Sequence, residues 1–512
     1  MCTCLISGKV ASSDGFAHLA ANDDWDQVAG VLTHVPRALH RNEDLYTLTG
    51  GQTIPEVRET CSFSYTSCFY ATGTLDRSWA GGMNDCGVAV AGTGVDALKE
   101  LPWEGLGYRL EPDDIPLLIL RRGTSARQAV SMIADLIMQY GMRPSVPEGS
   151  AGTSAATFSI ADAEEGWVLE VMPGRCFLAV RVPDDMVSVR VNAFGTHDAD
   201  LTDPDQTIAS PDLADYARGL GFWEGEEEHF DFSAAFGAES SPTEWGPEMD
   251  PMNLRRRWRV MQLLGYDEPE EVLRYMARPV KPVSVSDLMG ILSDVYKGTP
   301  YDLTLAEEGG PYHNPFAEGM PDYALCRRGT VASIVTEYLE QPSKDTVAEC
   351  FEQPSKDTVT ESFEQPSKDT VTKSFEQPNR YKENIPILWT ALGTPRMVPY
   401  IPVYTDIAQL PPITGPTDPE SSDPLSLFYR MKTLSYLTEY RYDRNIGVTA
   451  AWKAHLEEEM RDALGREAAA LSGTGCQDAN KLRKLRTEFT ARHLTDAAAS
   501  CGVICGKLLK MY

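Results

Sequence analysis

The residues best placed to do chemistry stand at the start of the chain, Met1-Cys2-Thr3-Cys4. An initiator Met before a small residue is readily removed, which makes Cys2 the first residue of a mature chain. A terminal cysteine carries a thiol and a free α-amine on one residue. The thiol is a nucleophile. The amine, with an ordinary pKa of about 7.7–8.0, can take the thiol's proton and return it to a leaving group. Cys4 cannot own such an amine. The plain alternative is an inert, frayed terminus, so the rest of the chain has to decide.

Three further candidates stand beside Cys2. Asp24, in Asn22-Asp23-Asp24-Trp25, follows a second short apolar run. It can orient the terminal amine or bind the amine of a substrate; otherwise it is a turn residue. Asn192 ends the run Val187 to Val191 and can hold a backbone group of the nucleophile or donate to an oxyanion; otherwise it caps a turn. Arg255, Arg256, Arg257 and Arg259 open a helix that is apolar at Val260, Leu263 and Leu264. One of them facing inward can bind a carboxylate bidentately; the alternative is a solvated basic face. Gly92-Thr93-Gly94 lacks the third glycine and the βαβ context of a dinucleotide site. The 8 His show no paired metal spacing. Cys501 and Cys505 share a helix face and read as buried apolar residues. There is no Gly-x-Ser-x-Gly and no Walker motif.

The 512 residues are 42% hydrophobic, enough for two to four ordinary domains or one large core with insertions. No window approaches a membrane span, and no charged region followed by an apolar one marks a secretory signal. The 11 Cys form an odd count without metal-type CxxC pairs, which fits reduced thiols in the cytoplasm. The net charge of −29 repels nucleic acid and anionic membranes.

Several elements must position the candidates. Residues 2–10 read as a strand entering the turn Ala11 to Gly15, and a second run from Phe16 to Ala21 returns beside it as a hairpin. Further strands are expected at 61–72, 88–92, 154–162, 166–172, 176–181, 186–191, 326–339 and 387–403. Two helices fill 113–141, the second with Ala129, Met132, Ile133, Leu136 and Ile137 at helical spacing before Gly141. Helices are expected again at 213–220, 254–264, 269–276, 285–296, 425–470 and 478–497. Residues 223–250 read as an acidic surface excursion and 409–424 as a Pro-rich connector. A repeat of period twelve occupies about 335–378, with a Pro in each unit. It is too short for a helical solenoid and reads as a duplicated hairpin loop.

Taken together, the residues resemble a known family. Met1-Cys2-Thr3, Gly8-Lys9, Ala11-Ser12, Asp14-Gly15 and Asn22-x-Asp24 are similar to the start of the cysteine dipeptidases (the dipeptidase A family) of the N-terminal-nucleophile hydrolase superfamily. The similarity continues through Met83 to Ala89, Glu148 to Gly152, Phe158 to Asp162, Glu165 to Val171, Arg181 to Asp185 and Asn192. It goes on through Asn253 to Arg259, Gly298 to Asp302, Leu388 to Gly393 and Pro402 to Tyr404. The repeat and parts of 223–250 fall outside it.

The resemblance implies an α+β fold, an αββα sandwich of two antiparallel sheets between helical layers, with a C-terminal helical extension. We therefore expect a catalytic domain over 2–423, carrying the repeat insertion, and a helical region over 424–512 packed on it. It implies hydrolysis of short peptides, mainly dipeptides, without metal or organic cofactor, and leaves self-association open. The related penicillin V acylases and bile salt hydrolases suggest the roles. Cys2 attacks and its amine is the base; Asp24 holds that amine; Asn192 supports the oxyanion or the nucleophile. Arg255 polarises the nucleophile's surroundings, with Arg256 as the alternative. Two positions depart from the pattern: Ala21 stands where the family usually has Arg, and Gly94 where the acylases place an Asn. The rival readings are an amidase on a non-peptide amide and a non-catalytic scaffold like the secernins.

Overall fold

The strand Cys2–Ser7 is buried along its whole length. A strand with no polar alternation must be covered on both faces, and this one lies inside a stack of layers. The structure, a computed structural model, describes residues 2–25, 28–70, 75–76, 81–95, 107–143, 155–237, 251–272, 274–320, 324–340, 384–415, 425–473 and 478–511.

Two large sheets form the centre. The first has seven strands in the order Met276–Ala277, Val187–Arg190, Cys2–Ser7, His18–Asp24, Thr330–Glu340, Asn384–Leu392, Ile401–Tyr404. The second has nine, with Thr207–Ala209, Phe177–Val182, Gly166–Val171, Ala155–Ala161, Ala89–Val95, Gly82–Asn84, Phe63–Tyr70 and Val28–Val35 in order and Leu75–Asp76 added at Phe63–Tyr70. Neighbouring strands are antiparallel throughout both sheets. The sheets pack face to face, Cys2–Ser7 lying over Ala89–Val95. The approach is close at Gly166, where a Cβ would stand 2.3 Å from Ile6 Cγ2, so only glycine fits there.

Helices cover both outer faces. Asp114–Arg122 and Ala126–Tyr140 lie on the second sheet, the latter started by Ser125, whose side chain accepts from the Gln128 N–H. Ile115, Ile119, Val130, Ile133 and Ile137 fill the space beneath them with Phe158 and Trp167. On the first sheet lie Pro251–Leu263, Val285–Leu292 with its Ser284–Asp287 capping box, and the C-terminal helices Leu427–Tyr440, Tyr442–Gly473 and Ala479–Leu509. Phe428, Met431, Leu434, Phe489 and Cys501 pack there against Trp389 and Tyr404. The molecule is the αββα sandwich expected from the resemblance.

Three expectations need correction or limitation. No described residue of 269–276 is helical before the edge strand Met276–Ala277; the Val189 N–H takes the Tyr275 carbonyl at 2.8 Å and draws the segment into the sheet. The 223–250 stretch is not purely a surface excursion. Phe230, Phe232 and Phe236 are fully buried, and Phe232 meets Phe194 edge-on at 4.9 Å. Of the repeat, Val335–Glu340 belongs to the strand Thr330–Glu340, and the remainder lies outside the described residues.

Candidate active site

In the first sheet Cys2 pairs with Asp23, Thr3 with Asn22 and Cys4 with Ala21. Alternation along the strands then sorts the side chains. Cys2, Cys4, Ala21 and Asp23 face the second sheet; Thr3, Asn22 and Asp24 face the helices. Cys2 is 4% exposed. Its Sγ lies 3.6 Å from Asp23 Oδ1, and Asp23 Oδ2 accepts from the Cys68 thiol of the opposite sheet at 3.3 Å.

The backbone of Cys2 is held from the other side. Its nitrogen donates to Asn192 Oδ1 at 3.2 Å, and its carbonyl accepts from Arg256 Nη1 at 2.7 Å. Arg256 also donates to Thr3 Oγ1 at 3.1 Å and, through Nη2, to Asn192 Oδ1 and Asn253 Oδ1, each at 2.9 Å. Asn192 Nδ2 donates to the Gly94 carbonyl at 2.9 Å, and the Asn192 N–H to Asn253 Oδ1 at 3.1 Å. With two donors on Asn192 Oδ1 and an acceptor on Nδ2, the orientation of the amide is determined by its partners. Gly94 takes part through its backbone oxygen, where the resemblance had suggested an Asn side chain.

Asp24 is buried one residue beyond Asp23, on the helix side, and accepts from Thr330 Oγ1 at 2.6 Å. The Cys2 N–H donates to the Asn192 side chain.

The arginine cluster requires a correction. Arg255, the first choice from sequence, lies away from Cys2, 3.5 Å from Glu270 and stacked on Tyr301 at 4.1 Å. Arg256, one residue on and fully buried, reaches the Cys2 carbonyl. The cluster is not a solvated basic face either. Arg257 is buried and stacks on Tyr275 at 4.2 Å, and Arg259 grips Asp294 at 2.7 and 2.9 Å.

Burial dominates the electrostatics. It pushes the Cys2 thiol up to about 12, opposed by the positive charge of the chain terminus and reinforced by Asp23 and Asp24. Burial likewise raises Asp23 to about 6, against the hydrogen bond from Cys68. Asp24 is raised by burial, with Arg327 the main opposing charge. A thiol in this setting ionises only with a cation or base at hand.

Sequence reasoning passed over Asp23, Cys68, Asn253 and Thr330. The signal for Asp23 was available: in an antiparallel hairpin the residue across from Cys2 shares its face. Cys68 comes from the other sheet, and no local pattern points to it. Ala21 packs with Cys4, Met83, Ala91 and Ile334, so its small side chain lets this part of the inter-sheet space close on apolar groups.

A buried thiol at the start of an inner strand of an αββα sandwich, with its main chain gripped by an amide and a guanidinium, defines a layered thiol-bearing site. The model of Peptidase family C69 matches residues 1–316, more than half of the chain, and the chain belongs to that family. A probable dipeptidase of Latilactobacillus sakei is 26% identical over 310 residues, covering 59% of this chain and 62% of the relative. The probable dipeptidase A of Streptococcus pyogenes serotype M1 is 27% identical over 332 residues, covering 60% and 64%. The chain thus spans less than two thirds of the length of these relatives. Among solved structures, a penicillin V acylase from Agrobacterium tumefaciens overlaps 37% of this chain and 52% of its own, at 16% identity and a TM-score of 0.25. A C2A mutant of the conjugated bile acid hydrolase from Clostridium perfringens overlaps 59% and 69%, at 13% identity and a TM-score of 0.24. At those scores neither superposition adds to the fold described above.

Proposed function

We propose that the protein is a cysteine-dependent dipeptidase whose nucleophile is Cys2, exposed as a terminal residue by removal of Met1. The observation that carries this reading is the grip on the Cys2 main chain: Asn192 Oδ1 on its nitrogen at 3.2 Å and Arg256 Nη1 on its oxygen at 2.7 Å. A chain end that is merely inert has no need of a buried guanidinium. The names of the relatives, probable dipeptidases, agree with it.

In the proposed cycle the Cys2 thiol passes its proton to its own α-amine, and the thiolate attacks the scissile carbonyl. The Cys2 ammonium protonates the departing amine of the second residue and leaves a thioester. Water, deprotonated by the same amine, attacks the thioester and releases the first residue. Asn192 orients the amine through its side-chain oxygen. This favours the nucleophile-supporting role over the oxyanion role, because its Nδ2 is engaged by Gly94. Asp24 contributes charge near the terminus. Asp23 stands where it can take the α-ammonium of a dipeptide's first residue, adjacent to the carbonyl under attack. A carboxylate beside a nucleophilic thiol hinders ionisation, so it is better explained as a substrate ligand than as an activator. That favours dipeptides over N-acylated amines, and catalysis over a scaffold role. The cytosolic location expected from the cysteine pattern belongs to the same proposal.

The test is a dipeptide panel run with intact-mass measurement. The expected result is a chain lacking Met1 that cleaves free dipeptides and spares their N-acetyl forms. Retained Met1, or hydrolysis unchanged in Cys2→Ala, would overturn the nucleophile assignment; preference for the N-acyl substrates would favour the amidase.

A further inference from the structure

The second sheet holds a thiol pair that this chemistry does not use. Cys61 precedes the strand Phe63–Tyr70, and Cys86 sits in the turn between Gly82–Asn84 and Ala89–Val95. They are 25 residues apart in sequence, yet their sulfurs lie 3.7 Å apart. Asp85 brings a carboxylate oxygen to the same place, so that the three donor atoms lie within 4.8 Å of one another.

We propose that Cys61, Cys86 and Asp85 form a binding site for a zinc-like divalent cation, with water in the fourth position. The spacing is the first argument. Two thiolates bound tetrahedrally at about 2.3 Å from zinc are separated by about 3.8 Å, close to the distance seen; a disulfide needs about 2.05 Å. The second argument is the carboxylate. The Asp85 side chain is only 8% exposed. Its Oδ2 accepts from Arg37 Nε at 3.0 Å and Nη2 at 2.6 Å, while Oδ1 is enclosed with no hydrogen-bond partner among the described residues. A buried carboxylate oxygen left without a donor is costly, and a cation satisfies it. Arg37 then plays the outer role that ligating carboxylates require, holding the group by its other oxygen.

The chemistry of the donors selects the ion. Two soft sulfurs and one oxygen suit zinc and disfavour magnesium or calcium. Binding releases two thiol protons to solvent. Two thiolates, one carboxylate and a dication leave one net negative charge beside the Arg37 guanidinium. The turn is braced for this. Asn84 Nδ2 donates to the Leu120 and Gly123 carbonyls at 3.0 and 2.8 Å, and its Oδ1 accepts from the Cys86 and Val88 N–H groups at 3.0 and 2.9 Å. Cys86 is only partly buried, which leaves a path for the ion. The site would clip the turn to the start of the neighbouring strand, independently of Cys2.

The test is metal content of the full-length chain, stripped with chelator under reducing conditions, reloaded with Zn²⁺ alone and desalted. The expected result is about one zinc per chain and a higher midpoint of thermal unfolding with zinc than without. Both effects are lost in Cys86→Ser and in Asp85→Asn and kept in Cys501→Ser, which alters the other close thiol pair. Cobalt loading should give a thiolate-to-metal charge-transfer band in the parent chain that Cys86→Ser lacks, a readout independent of stability. Uptake unchanged in Cys86→Ser, no uptake by the parent chain, or recovery of the pair from cells as a disulfide two hydrogens lighter would overturn the proposal.

Discussion

Asp23→Asn tests the electrostatics of the site directly. Asp23 is 6% exposed and faces two thiols. Burial raises its carboxyl to about 6 in the folded chain, against about 3.9 in an unfolded one. The folded state therefore holds the proton more tightly. The stability this contributes is fully present below about pH 3.9 and is lost as pH rises through about 6. Two units at about 1.36 kcal/mol each amount to about 3 kcal/mol. Asparagine does not titrate, so the variant has no such term. Substitution also changes the contacts to the Cys2 and Cys68 thiols, but that effect is a constant offset and cancels when two pH values are compared. The assay is urea unfolding of both proteins at pH 4 and pH 7. Relative to the variant, the parent should lose about 2 kcal/mol of that between the two conditions, because the unfolded carboxyl is already half ionised at pH 4. A parent-minus-variant difference that stays flat across this range would refute the reasoning, because the carboxylate would then be solvated rather than enclosed between the sheets.

The remaining predictions follow from the same contacts. Under the proposed mechanism Cys2→Ala should lower kcat by about 10⁴-fold or more, with far-UV circular dichroism unchanged. Arg256→Ala removes the guanidinium donor from the Cys2 carbonyl and one of the two donors from each of Asn192 Oδ1 and Asn253 Oδ1; it should destabilise by about 3–5 kcal/mol in urea unfolding and abolish turnover. Arg255→Ala should cost no more than about 1 kcal/mol, and equal costs for the two would return the role to Arg255. Asn192→Ala should reduce kcat by about 10²-fold or more and shift the alkaline limb of the pH–rate profile, since the side chain bonds the nitrogen that is the base in the proposed mechanism.

How far the sequence could be read depended on the kind of information each residue needed. Of the strands and helices expected in the first 300 residues all but 269–276 survive, because periodicity and caps are local properties, whereas the strands Val28–Val35, Gly82–Asn84 and Thr207–Ala209 of the second sheet were not foreseen. That one exception is decided by the partner strand Val187–Arg190, far earlier in the chain. The site is harder. Naming Cys2 needs only its position. Choosing between Asp23 and Asp24 needs the register of the hairpin, because a one-residue change moves a side chain to the other face. Choosing between Arg255 and Arg256 needs the rotational phase of a helix whose four arginines differ by about 100° per step, and apolar residues at Val260 and Leu264 do not settle it.

The same distinction explains why spacing along the chain says little about which cysteines meet. Spacing rules for metal sites work when ligands share a hairpin or a helix turn. Cys61 and Cys86 meet because two strands pair, Asn84 with Phe63 and Met83 with Ser64, which brings position 86 back beside position 61. Cys2 and Cys68 approach because two sheets stack, with Asp23 between them. In a layered fold, proximity across strands and across sheets is set by register and stacking, neither of which leaves a fixed interval in the chain. The odd number of cysteines without CxxC pairs therefore says little against a metal site. Each thiol has to be judged by the groups its own face meets: a carboxylate and a second thiol at both Cys2 and Cys61, the Cys505 thiol and the Arg430 carbonyl at Cys501. Chemistry is expected at the first two, and apolar packing at the third.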